Sequence, residues 1–200
     1  QADSCIGSKS SINVGDAKNI VGTFYPPTKI YIDQNFLHTL HQNEIHSGIG
    51  EILKVHAINS AESFNRVASS LEAITHDLDA LQPFIYSALT IKKRYNEVDE
   101  FDEGIRNIFN FGHSFGHAIE SATNFGIPHG VTVTMGMDVA CQIAASRNLL
   151  PNSESARMRT ALRLNYQPFA HVQIPLDASM NALLKDKKNS STELGLILPV

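Results

Sequence analysis

Two histidines stand four residues apart in "NFGHSFGHAIE", Asn110 to Glu120, among glycines, phenylalanines and one carboxylate. Imidazoles ligate metals and trade protons near neutral pH, so the spacing raises both kinds of chemistry. On an ideal helix of about 100° per residue, Arg106, Asn110, His113 and His117 fall at roughly 0°, 40°, −20° and 20°. One narrow stripe carries all four. Ile105, Ile108, Phe109, Phe111, Phe115, Ala118 and Ile119 occupy the remaining arc. A face turned only to water usually carries Lys and Glu, whereas Arg, Asn and two His suit a metal or an anion. Gly112 and Gly116 each cost about 1 kcal/mol against alanine in a helix. Their presence predicts a close approach to the backbone. The competing reading is an ordinary amphipathic helix with its polar side solvated.

A third histidine, His129 in "IPHG", and a carboxylate, Glu51 in "GIGEILK", extend the set. Zinc-type sites with an open position take three His or carboxylate ligands and leave room for a substrate oxygen. Glu51 and Lys54 are three apart and share one helix face. Spacing alone makes Glu51, His113 and His129 a candidate site, although HxxxH also recurs by chance in core helices.

The elements that must position these groups read as mainly helical. Residues 1–27, punctuated by Gly7, Gly15 and Gly22 and closed by Pro26-Pro27, read as loop. "KIYID" (29–33) is β-branched and aromatic and is the best strand candidate. Helical periodicity begins near residue 34, runs from Ser47 to about Asn65, and recurs twice through residue 100 with a break expected at Pro83. "GIRNIFNFGHSFGHAIESATN" reads as one helix stopped by Gly126 and Pro128. Further helices are expected over "HGVTVTMGMDVACQIAASRNLL" and over 153–165, then "MNALLKDKKN" and a terminal strand "ELGLILPV".

Composition narrows the function classes. The chain has 200 residues, 42% apolar and 18% charged, which is a globular rather than a disordered balance. Its net charge of −4, without a basic cluster, argues against a nucleic-acid partner. No apolar run reaches membrane-spanning length, so no membrane partner is expected. Cys5 and Cys141 form no spacing motif and read as reduced thiols, with the cytoplasm as the expected location. The opening "QADSCIGSKSSINVGDAKNIVG" has no initiator methionine and is already dense in loop chemistry. It predicts a start partway through a larger protein.

In order and spacing, "DSCIGSKSSIN", "AKNIVGTFYPP", "IYID", "SGIGEILK", "DEFDEGIRNIFNFGHSFGHAIE", "PHG" with "GM", and "DKKN" resemble the dehydroquinate synthase family of sugar-phosphate cyclases. The resemblance spans nearly the whole chain. It implies a mainly α fold: residues 1–35 as the end of an α/β nucleotide-binding domain, and 36–200 as a helical metal- and substrate-binding domain. It further implies NAD, a Zn2+ or Co2+ ion, a small-molecule sugar phosphate and a homodimer. The family's best-known reaction, in the shikimate pathway, turns DAHP into 3-dehydroquinate. A carbinol is oxidised by NAD, phosphate is eliminated, the ketone is reduced again, and the opened ring closes by an aldol addition.

Carried over by position, the resemblance puts the metal ligands on Glu51, His113 and His129. Substrate contacts fall on those three ligands, on His117, and on Asp3, Lys9, Asn19, Lys54, Lys92, Arg106, Asn110 and Lys188, with Lys187 as the alternative to the last. His117 matches an acid–base group near the leaving phosphate, and Asp102 stands where the family's second proton acceptor is a glutamate. Lys54 joins these as a catalytic candidate. Lys18 and Phe36, Leu37, His38 and Thr39 match positions that touch NAD. A dianionic phosphate and a carboxylate need opposing charge, which Lys9, Lys54, Lys92, Arg106 and Lys188 supply. Lys93 and Lys185 read as solvated surface charges.

Three departures from the family pattern bear on the substrate: Val131 where "HGE" is usual, Asp102 for glutamate, and "GSKS" at 7–10 for a double-glycine loop. Another sugar-phosphate cyclase, a metal-dependent polyol dehydrogenase of the glycerol dehydrogenase kind, and a non-enzymatic binding module are the other readings. A simple polyol would not need the phosphate-grasping set.

Overall fold

The computed structural model describes residues 2–14, 17–185 and 194–200, with backbone alone for 13, 14 and 17–20. Lys187 and Lys188 lie outside the described residues. Helices dominate, as the periodicity predicts.

The strands are not where the sequence reading places them. β1 (Lys9–Val14) and β2 (Ala17–Phe24) form an antiparallel hairpin within the stretch expected to be loop. Its register pairs Lys9 with Phe24 and Ile12 with Val21, with an irregularity between Ile12 and Val14. The Gly and Ser content of 1–27 hides a β-branched pattern. "KIYID", by contrast, forms no strand. A strand needs a partner, and nothing among the described residues pairs with it; Tyr31 is 88% exposed. Residues 194–200 form no strand either, although Ile197 and Leu198 pack on the core.

A 3-10 turn, Gln34–Thr39, leads into α1 (Gln42–Asn59), which begins earlier than Ser47 and ends before Asn65. Ser60 is extended, and its hydroxyl accepts from the Ser63 amide at 3.1 Å to start α2 (Ala61–Ser69). A short α3 (Leu71–His76) follows. The next break falls at Asp77, not at Pro83. The Asp77 carboxylate caps α4 (Leu78–Val98) by accepting from the amides of Asp79 and Ala80, and Pro83 sits inside that helix.

The histidine segment is two pieces rather than one helix. A 3-10 turn, Ile105–Asn110, ends at Phe111, and α5 (His113–Ala122) starts after Gly112. Gly112 has φ +78, and a Cβ there would lie 2.6 Å from the Val133 carbonyl oxygen. The close approach predicted at Gly112 and Gly116 is real, and what approaches is the next helix. That helix, α6 (His129–Ser146), buries 12 of its 18 residues, the mark of a central helix.

α6 lies between α1, α5 and α7 (Asn152–Tyr166), while α8 (Leu176–Leu184) packs on α5. Ile49, Ile52, Leu53, Phe64, Val133 and Met137 are the centre of the core. The α1–α6 crossing is as tight as the α5–α6 one. A Cβ on Gly130 would overlap the Ser47 carbonyl, and one on Gly50 would overlap the Gly130 carbonyl. Three helices are thus fixed at contact distance, and each brings one candidate ligand.

Candidate metal and anion site

Glu51 projects from the middle of α1, His113 opens α5 and His129 opens α6. Oε1 of Glu51 stands 4.0 Å from Nε2 of His113 and 3.5 Å from Nε2 of His129. That oxygen is buried and has no hydrogen-bond partner, a costly condition for a carboxylate. Donors about 2.1 Å from a tetrahedral ion sit roughly 3.4 Å apart, close to this spacing.

Both imidazoles are held from behind. Nδ1 of His113 faces the Phe111 carbonyl at 3.3 Å, and Nδ1 of His129 faces Oε2 of Glu120 at 3.2 Å. Those contacts place the proton on Nδ1 and turn the lone pair of Nε2 toward Glu51. Burial, then the charges of Lys54, His129 and His117, hold His113 well below its ordinary pKa, so it is neutral and able to ligate.

His117 joins this group. Its ring centroid lies 5.3 Å from that of His113 and 5.5 Å from that of His129, the latter pair stacked. His113, His117 and His129 each offer a ligating atom within 4.8 Å of the others, a second possible donor set.

A cavity of about 250 Å³ opens beside these ligands. Of the residues expected to touch substrate, Asp3, Lys9, Glu51, Lys54, Lys92, Arg106, Asn110, His113 and His129 line it, Asp102 does too, and His117 stands behind the lining, against His113 and His129. Sequence reasoning missed Ser4, Ser47 and Phe109 in the lining, and Glu120 behind His129. Glu120 stands one turn past His117, where its sign alone marked it as unusual in an apolar run. Asn19 and Lys18 lie on β2. Phe36 to Thr39 form the 3-10 turn before α1, away from this cavity, with Phe36 73% exposed.

The lining cations are matched in part by the chain's own carboxylates. Lys54 Nζ lies 2.6 Å from Glu51 Oε2 and 3.9 Å from Asp3, and Lys92 donates to the Asp3 carbonyl at 2.7 Å and its carboxylate at 3.0 Å. Lys9 pairs with Asp102. Arg106 spends three of its five N–H donors on the carbonyls of Asp99, Glu100 and Gly7, fastening two loops to each other. Burial pushes the Glu51 carboxyl up, but Lys54, His129 and Lys92 together keep it below its ordinary value. Burial likewise pulls Lys54 down, and Glu51 and Asp3 more than restore it. The pair is therefore ionised. Lys93, by contrast, pairs with Glu97 at the exposed surface.

Two of the departures have visible consequences. Val131 is fully buried with Ile127, Met135 and Phe169, so position 131 is part of the packing here and does not line the cavity. Ser8 holds φ 63, a left-handed conformation in which glycine would be relaxed.

Residues 48–189 match the sequence profile described as 3-dehydroquinate synthase C-terminal, and residues 1–47 match 3-dehydroquinate synthase N-terminal. A 3-dehydroquinate synthase of Dehalococcoides mccartyi is 36% identical over 199 residues, covering 99% of this chain and 55% of the relative. One from Thermoanaerobacter sp. is 34% identical, covering 100% of this chain and 56% of its own length. The chain thus spans about half the length of the curated relatives it matches. Among solved structures, a 2-deoxy-scyllo-inosose synthase complexed with carbaglucose-6-phosphate, NAD+ and Co2+ superposes with TM-score 0.84 at 25% identity, covering 100% of this chain and 58% of that one. The 2-epi-5-epi-valiolone synthase of Streptomyces hygroscopicus, with NAD+ and Zn2+ bound, gives TM-score 0.80 at 28% identity, covering 91% of this chain and 51% of that one. Two profiles meeting end to end, over a fold shared with sugar-phosphate cyclases, establish that the chain belongs to the 3-dehydroquinate synthase family.

Proposed function

We propose that this chain carries the metal- and substrate-binding half of a 3-dehydroquinate synthase-type cyclase, which eliminates phosphate from DAHP and closes the carbocycle. The observation that carries the reading is the buried, partnerless Oε1 of Glu51 between two Nε2 atoms, in a cavity edged by four cationic side chains. Those donors fit a divalent ion such as Zn2+ or Co2+, with Glu51, His113 and His129 as ligands. Bound there, the ion would act as a Lewis acid toward a substrate carbinol oxygen.

The chain's own residues do the rest. Lys54 keeps Glu51 anionic, and Phe111 and Glu120 aim the two imidazoles. Lys9, Lys92 and Arg106 draw the phosphate and carboxylate into the cavity, and Asn110 orients a hydroxyl. His117 stands beside the ligands as the group that moves a proton near the leaving phosphate, with Asp102 as the second acceptor.

Charge supports a substrate carrying both anions. Lys9, Lys54, Lys92 and Arg106 oppose Asp3, Glu51 and Asp102 in the lining, a surplus of one positive charge. A divalent ion raises that surplus to three, which a phosphate dianion and a carboxylate together neutralise. A sugar phosphate without a carboxylate would leave one cation unmatched. Curated relatives named 3-dehydroquinate synthase agree with that choice.

NAD is part of the same reading, because two related cyclases hold it. Within these 200 residues the positions matched to NAD fall on a largely exposed turn and a hairpin strand, and Leu37 among them lines a second cavity of about 550 Å³. The chain's contribution to NAD binding is one edge of the site.

The test is His113→Ala, assayed for bound zinc or cobalt by elemental analysis and for phosphate release from DAHP in a protein of the relatives' full length. Stoichiometric metal and turnover should both disappear. A variant that keeps its full metal content would overturn the ligand assignment.

A further inference from the structure

Resting on the metal reading above, we propose that Glu120 is a positioning residue that locks His129 in its metal-binding tautomer. Its side chain is one-tenth exposed, and Oε2 lies 3.2 Å from Nδ1 of His129. A carboxylate can only accept, so this contact places a proton on Nδ1 and, in the neutral imidazole that binds a metal, leaves Nε2 as the lone pair. That Nε2 points at Oε1 of Glu51, 3.5 Å away. Ring packing against His113 and His117 leaves the tautomer of His129 open, and its side chain is 31% exposed, against 14% for His113. His113 is held by a backbone carbonyl that no substitution of its own side chain can change, whereas His129 depends on a replaceable side chain.

The two sides of the contact come from different helices. Glu120 lies in the last turns of α5 and His129 is the first residue of α6, across the turn 123–128. Gly116, one turn before Glu120, brings α5 to within 3.1 Å of the Thr132 carbonyl as seen by an added Cβ. Partners of this kind raise the basicity of a ligating histidine, and their loss typically weakens metal binding by about 10–100-fold.

The experiment compares Glu120→Gln, Glu120→Ala and His129→Ala in the full protein. Zinc affinity is measured by chelator competition, and the His129 tautomer of the metal-free protein by long-range 15N–1H correlation. Glu120→Ala should still bind one zinc but about 10–100-fold more weakly, with His129 moving toward the Nε2–H form. Glu120→Gln keeps the volume and one acceptor oxygen and should fall between it and the parent. A purely structural role would lower the melting temperature and leave the tautomer untouched. Parental affinity and an unchanged Nδ1–H signal in a folded Glu120→Gln protein would overturn the inference, and this variant decides the matter even where Glu120→Ala does not fold. Loss of zinc in His129→Ala together with that result would sink the inference alone. Zinc retained in His129→Ala would remove the metal reading beneath it.

Discussion

Glu51, Lys54 and His113 divide the electrostatic work at the smallest scale. Lys54 at 2.6 Å keeps a buried carboxylate ionised, and burial among cations keeps His113 neutral. His117 stands beside both imidazoles, its ring stacked on that of His129, where the reading above gives it the proton-moving role. His117→Ala should therefore retain stoichiometric metal while turnover of the full-length enzyme falls by about 10²-fold or more, the scale of a positioned acid–base group. Metal loss as complete as in His113→Ala would transfer His117 to the ligand set. A second residue-level prediction concerns His56, 3% exposed, whose Nδ1 meets the Ile52 carbonyl at 2.7 Å and whose Nε2 meets Ser87 Oγ at 2.6 Å. Burial holds its pKa below 6.5. Above that pH both folded and unfolded chains carry it neutral; as pH falls, the unfolded chain takes the proton first. Stability should drop from about pH 6.5 downward and level off below the folded pKa, and His56→Gln should flatten that limb. Urea midpoints at several pH values, with a chelator present, give the comparison. An equally steep limb in the variant would assign it to other groups.

At the scale of elements, the site exists because α6 is pressed against α1 on one side and α5 on the other at glycines. Gly130→Ala would drive a methyl into the Ser47 carbonyl, and its own amide, which donates to Ser47 Oγ at 2.9 Å, would be displaced with it. Overpacking of this kind costs about 1–3 kcal/mol, so a clearly lower melting temperature and weaker zinc retention are expected. A melt indistinguishable from the parent would show that the crossing has slack. These seams explain what the sequence disclosed. Periodicity announces α6, α7 and the ligand residues, because each is a local pattern. It misplaces the break near Pro83 because the stop comes from a capping carboxylate, Asp77, and α4 runs on through the proline. It reads 104–124 as one helix because nothing in that stretch records Gly112 taking a left-handed φ against Met137 and Val133, residues 20 or more positions away. The hairpin was invisible for the same reason: pairing of Lys9 with Phe24 is a relation between residues, and Gly-Ser composition outweighed it. Arg106 shows the limit most clearly. Its type and position led to a substrate contact, and only the folded chain reveals the three carbonyls it ties together.

Over the whole molecule, the proposed metal ligands and most of the proposed anion-binding side chains line one cavity of the described residues, while the NAD-matched positions lie on a largely exposed turn and a hairpin. Taken alone, these 200 residues should fold and bind one divalent ion yet release no phosphate from DAHP, since the redox step belongs to NAD. A phosphate-release assay with added NAD and zinc, run beside a protein of the relatives' full length, provides the check. Equal rates in the two would mean that the division of labour is drawn in the wrong place. The walled-in position of α6 also has a bearing on time. Its central amides, packed on three sides, should open more slowly than those of the hairpin and the 3-10 turns. His129, the first residue of that helix with its side chain 31% exposed, therefore stands at the margin of the slowest-opening segment rather than inside it.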